Sequence, residues 1–191
     1  MRVLGIDPGL TRCGLGVVDV SPDRRARLVH VETIHTAPDL AVERRLVDVS
    51  AGIRRVLAAF QPESVALERV FAQHNLRTVM GTAQVSGVAL LAAAEAGLSV
   101  GLHTPTEVKA AITGYGAADK KQVGTMVARV LGLTEAPRPA DSADALALAI
   151  CHAWAGGFRL AQPADDAQGE PAETPAQRAW RVAEKASRRA S

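Results

Sequence analysis

Aromatic residues are scarce in this chain, with two tryptophans, one tyrosine and three phenylalanines among 191 residues. Rings cannot fill the interior, so the 48% of hydrophobic residues must build a core from alanine, valine, leucine and isoleucine. Cysteine is nearly missing. Cys13 and Cys151 make no CxxC pair and no zinc-ligand spacing, which excludes a disulfide scaffold and a zinc ribbon. They read as two small buried residues of a reduced cytoplasm. Lysine is confined to Lys109, Lys120, Lys121 and Lys185, so the first three mark a local surface rather than general solubility. The N-terminal apolar run breaks at Asp7-Pro8, and no signal peptide is expected. The longest uncharged stretch, Thr78 to Ala94, carries Thr, Gln, Ser and Gly. It falls short of the roughly 20 apolar residues of a membrane span and reads as a buried helix. A net charge of +2 is too small to name a nucleic-acid partner by itself.

What is present has a clear order. Arg2 to Asp7, Gly14 to Val20 and Arg27 to Thr36 read as three strands joined by short links, hence an antiparallel meander. Leu40, Leu46, Val49, Ile53, Val56, Leu57 and Phe60 then recur at helical spacing, until Gln61-Pro62 stops them. Ser64 to Val70 is a fourth strand, Asn75 to Ala96 a long helix closed by Gly97, and Leu98 to His103 a fifth strand. Thr104-Pro105-Thr106-Glu107 carries the pattern of a capped helix start. Further helices are expected over Asp119 to Leu131 and Ala140 to Ala155. The sum is an α/β fold with a five-stranded mixed sheet, three strands antiparallel and then two parallel, flanked by helices. Residues 1–157 make one domain. Residues 158–191 read as a disordered acidic linker with a basic C-terminal tail.

Four acids stand where a core would not put them. Asp7 ends the run Val3-Leu4-Gly5-Ile6, Glu68 ends Val65-Ala66-Leu67, and Asp141 and Asp144 open the run Ala145 to Ile150. A carboxylate at the end of a buried element is costly unless a cation meets it. Each has a plain explanation. Asp7 suits a turn, Glu68 a salt bridge, and Asp141 or Asp144 a helix cap. Two aspartates on one helix face, roughly 60° apart, exceed what a cap requires. Taken together, the four oxygen donors select a hard cation such as Mg²⁺ or Mn²⁺. Metals shared among them could activate a water and stabilise the departing oxygen of a phosphodiester.

The blocks Gly5-Ile6-Asp7-Pro8-Gly9-Leu10-Thr11-Arg12-Cys13-Gly14, Ala66-Leu67-Glu68-Arg69-Val70-Phe71 and Ala140-Asp141-Ser142-Ala143-Asp144-Ala145-Leu146-Ala147 resemble the RuvC family of crossover junction endodeoxyribonucleases. The resemblance runs in order over about residues 1–157. It implies a ribonuclease H-like fold, a homodimer, and paired nicks on opposing strands of four-way DNA junctions during recombination and repair. It implies Asp7, Glu68, Asp141 and Asp144 as catalytic ligands of Mg²⁺, two ions per subunit, with Mn²⁺ able to substitute. It further implies RuvA and RuvB as partners, a bacterial cytoplasmic location, and DNA contacts by Phe71, Lys109 and Lys120. Adjacent Lys121 and the nearby His74 join that DNA-facing set. Residues 158–191 match no motif of the family.

Two other readings compete. Asp7-Pro8-Gly9-Leu10-Thr11 also looks like the first phosphate loop of actin-like and sugar-kinase ATPases, whose second glycine-rich loop has no counterpart here. A junction-binding protein with a degenerate site is the other, and the presence of all four acids argues against it.

Overall fold

The computed structural model describes residues 1–70 and 76–156. Strands β1 (Arg2–Asp7), β2 (Arg12–Val20), β3 (Ala26–His35), β4 (Ser64–Glu68) and β5 (Ser99–His103) form one sheet in the order β3-β2-β1-β4-β5. The pairs β1–β2 and β2–β3 are antiparallel, and β1–β4 and β4–β5 are parallel. The short links of the first three strands permit only hairpins, and the helical crossovers that follow require parallel pairing. The mixed sheet expected from the sequence is the observed one.

Strand parity divides the core in two. Leu4, Ile6, Cys13, Leu15, Val65 and Leu67 face α1 (Val42–Phe60) and α2 (Leu76–Glu95). Val3, Val18 and Ala66 face α3 (Pro105–Thr113), α4 (Lys120–Leu131) and α5 (Ala140–Trp154). The central strands are covered on both faces, so they read as continuous apolar runs. Both cysteines are buried and free. The Thr104 motif forms a reciprocal capping box, Glu107 N donating to Thr104 Oγ1 at 3.1 Å and Thr104 N to Glu107 Oε2 at 2.7 Å.

Helix α2 departs from expectation. It buries Val85, Ala89, Ala92 and Ala93, yet leaves Met80, Leu90 and Leu91 exposed. Ala83, Gly87 and Ala94 lie on the same open stripe. One sheet face can cover only one side of a helix. The uncharged far side of α2 is left to solvent. Among the described residues, no helix is long and apolar enough to cross a membrane.

Candidate active site

Asp7 and Glu68 are brought together by register and parity. Ile6 pairs with Leu67 in the parallel β1–β4 ladder, and the two acids follow one residue later at the carboxyl ends of these strands. Side chains alternate along a strand, so Asp7 shares the face of Val3, and Glu68 the face of Ala66. Both faces are covered by the α5 layer. Crevices outside the carboxyl ends of parallel strands are the usual ligand sites of open α/β sheets.

Helix α5 lies directly on β1 and β2 because glycines make room. A Cβ on Gly5 would collide with the Ala145 carbonyl, and one on Gly14 with the Asp141 carbonyl. Ser142 and Thr33 share a hydroxyl–hydroxyl hydrogen bond of 3.0 Å that pins the first turn of α5 to β3. The capping explanation for the α5 acids fails. The N-cap is Pro139, and no side-chain cap bond is made.

Asp7, Glu68 and Asp144 line one pocket of about 200 Å³, with Lys109 and Lys120 opposite. Lys120 Nζ is 2.7 Å from Asp144 Oδ2, and this hydrogen bond holds the Lys120 ammonium above its ordinary range. Burial, then the charges of Asp144 and Glu68, push the Asp7 carboxyl up to about 7, against the pull of Lys120. Glu68 is raised by burial and by Asp144, with Lys120 and Lys109 opposing. Crowded, half-desolvated carboxylates behave in this way.

Asp141 stands apart. Its Oδ2 is 3.2 Å from Arg12 Nε, and it lines a neighbouring cleft of about 920 Å³. Its charge still adds to the rise of Asp7, less than those of Asp144 and Glu68. Ion pairs thus engage both α5 aspartates, and among the described residues no three acids or imidazoles are gathered closely enough to ligate one ion as they stand. The donor set nevertheless fits a hard divalent cation. It is all carboxylate oxygen, the charge of Asp144 raises the proton affinity of both Asp7 and Glu68, and the cation that now pairs with Asp144 is a largely exposed lysine.

Lys121 does not share the acid pocket. It lines a separate groove of about 390 Å³ with Thr113, Tyr115 and Met126, because successive residues at a helix start diverge by about 100°. Phe71 and His74 lie outside the described residues, as does 158–191.

Sequence reasoning assigned no role to Arg12, Arg45, His103 or His152. Arg45 occupies a position of the buried α1 stripe with Val49, Ile53 and Val56, a periodicity visible in the sequence. His103 is the register partner of Glu68, and its Nε2 lies 2.9 Å from Nδ1 of His152. Burial lowers His152 to about 4, so this pair is a neutral backing to the strand that carries Glu68.

Residues 3–152 match the family described as crossover junction endodeoxyribonuclease RuvC. The crossover junction endodeoxyribonuclease RuvC of Leifsonia xyli subsp. xyli is 63% identical over 198 residues, covering 100% of this chain and 95% of that protein. The structure of Thermus thermophilus RuvC in complex with Holliday junction substrate aligns with a TM-score of 0.79 at 42% identity, over 85% of this chain and 99% of that one. The yeast mitochondrial Holliday junction resolvase aligns with a TM-score of 0.55 at 14% identity, over 78% of each chain, a likeness of fold alone. With its mixed sheet, its strand-end acids and these relatives, the chain belongs to the RuvC family of crossover junction endodeoxyribonucleases.

Proposed function

We propose that this chain resolves four-way DNA junctions by metal-dependent hydrolysis, placing paired nicks on opposing strands during recombination and repair. Asp7, Glu68, Asp141 and Asp144 hold Mg²⁺, two ions per subunit, with Mn²⁺ as a substitute. The observation that carries this reading is the convergence of Asp7, Glu68 and Asp144 from three distant segments on one pocket walled by Lys109 and Lys120. The Thermus relative, 42% identical, is seen with a Holliday junction substrate, which supports the same substrate here.

The residues divide the work. Asp7 and Glu68 sit on strand ends and would hold the divalent metal in a fixed position. In the metal-free chain Asp7 is held near neutrality by burial and its acidic neighbours, a strain that a bound divalent cation would relieve. Bound divalent metal supplies a more acidic water and stabilises the leaving oxygen. Lys120, freed from Asp144 as DNA enters, and Lys109 neutralise backbone phosphates. Lys121, Phe71 and His74 extend the DNA contact beyond the pocket.

A homodimer presents the site twice by two-fold symmetry, as a four-way junction requires. The exposed uncharged stripe of α2, with Met80, Gly87 and Leu91 at helical spacing, suits the surface between two copies. RuvA and RuvB are the partners and the bacterial cytoplasm is the location in this reading.

The test is a nuclease assay on a four-way junction and on plain duplex, with and without Mg²⁺. Wild-type protein should nick the junction symmetrically and spare the duplex. Asp7→Asn should bind the junction and lose cleavage by at least about 10³-fold. Normal cleavage by that variant overturns the assignment.

A further inference from the structure

Arg45 is a buried cation with no anion. Only 8% of it is exposed, and among the described residues it has no carboxylate partner. Its Nε donates to Thr36 Oγ1 at 2.9 Å and its Nη2 to Thr11 Oγ1 at 2.7 Å. Thr36 Oγ1 in turn donates to the Leu10 carbonyl at 2.5 Å. Guanidinium groups do not shed their proton in proteins. Burying one among neutral hydroxyls is therefore unfavourable unless a negative group completes its surroundings.

Space for such a group is present. Arg45 lines the cleft of about 920 Å³ together with Gly9, Thr11, Arg12 and Asp141. Its Nη1 makes no hydrogen bond among the described residues and keeps some contact with solvent. The turn beside it is tight. A Cβ on Gly9 would strike the Arg12 carbonyl, so the turn has no room for a side chain at that position. The arrangement has a fork of donors beside a tight turn, and a second arginine, Arg12, that is paired with Asp141. It is complementary to a tetrahedral anion with several acceptor oxygens.

We propose that Arg45, with Thr11 and the Gly9–Leu10 turn, forms a subsite for a DNA phosphodiester adjoining the acid pocket on the Asp141 side. The subsite deepens the junction-cleaving reading and rests on it. Its occupant is a backbone phosphate of the strand being cut, displaced from the scissile one. Because Arg45 grips both Thr11 and Thr36, engagement of that phosphate also braces the β1–β2 turn next to Asp7. Arg45 acts as a binding and positioning residue. It takes no part in proton transfer.

The experiment measures four-way junction affinity in EDTA between about 50 and 200 mM salt for wild type and Arg45→Gln. One phosphate contact contributes about 0.9 to the slope of log affinity against log salt. Arg45→Gln should bind about tenfold more weakly, with a slope shallower by about 0.9. A variant that melts cooperatively and keeps the wild-type slope overturns the subsite. Should Arg45→Gln not melt cooperatively, the Arg45 Nε–Hε resonance of wild-type protein is followed as a short single-stranded oligonucleotide is added. A shift is expected, and an unmoved resonance overturns the proposal. Failure of wild type to prefer a junction over duplex counts against the broader reading. The Arg45 slope difference is then judged on whichever DNA is bound.

Discussion

Lys120 Nζ lies 2.7 Å from Asp144 Oδ2, in the pocket that Asp7 and Glu68 also line. The lysine stands between an acid and anything cationic that would bind it. Lys120→Met therefore removes a competitor as well as a phosphate contact. Mg²⁺ affinity in the absence of DNA should rise about threefold to tenfold by calorimetry, while junction cleavage falls about tenfold or more. The metal-free variant should be only about 0.5–1 kcal/mol less stable, because the lysine is largely exposed and solvent screens the pair. Unchanged Mg²⁺ affinity would count against competition for Asp144.

Asp7 gives a pH signature with a definite sign. Its carboxyl is raised from 3.8 to about 7 in the folded chain by burial and neighbouring acids. From about pH 4 to about 7 the folded state holds a proton that the unfolded state has lost. Stability therefore falls as pH rises through that window, and the loss is complete above it. Asp7→Asn abolishes the effect. In EDTA at pH 8 the variant should be about 1–3 kcal/mol more stable than wild type, and the gap should close near pH 4. Thermal melts across that range check both limbs, and a gap that widens toward acid would refute the assignment.

Gly5 and Gly14 set how closely α5 approaches the sheet. Either replacement by alanine drives a methyl into a backbone carbonyl of α5 that has no rotamer to move aside. Gly14→Ala should cost about 2–3 kcal/mol in urea unfolding and displace Asp141 and Asp144 from the strand-end acids. Cleavage should fall further than the folded fraction does. A Gly14→Ala protein with wild-type stability would place α5 farther from β2 than described.

The α2 stripe is an exposed apolar surface with helical order. If it joins two copies, Leu91→Glu should convert the protein to a monomer by light scattering, with little change in melting of the subunit. Junction cleavage should then lose its pairing, leaving single nicks. A dimer that survives Leu91→Glu and Met80→Glu together would move the interface elsewhere.

Legibility varied with the kind of signal. Asp7 and Glu68 were visible because a charge ending an apolar strand is costly wherever the strand packs. Asp141 and Asp144 were visible only as a pair, since capping would explain either alone. The structure removes that explanation by giving the cap position to Pro139. The exposed side of α2 was misread as buried because lack of charge does not distinguish a core face from a face left to solvent. Lys120 and Lys121 looked equivalent in sequence, yet helical rotation sends one to the acids and the other to a separate groove. Arg45 sat in the apolar period of α1 and was passed over, since periodicity was sought in apolar residues.

The order of the amino acids alone determined the strands and helices, their parallel or antiparallel sense, and which acids end them. Those features depend on local periodicity, turn chemistry and connection length, all of which act between near neighbours in the chain. Only the tertiary structure decided that Asp144 joins Asp7 and Glu68 while Asp141 turns toward Arg12, and that Arg45 has no anion beside it among the described residues. These outcomes depend on how α1 and α5 are seated on opposite faces of the sheet. Electrostatic coupling acts through space, and the linear order does not record those distances.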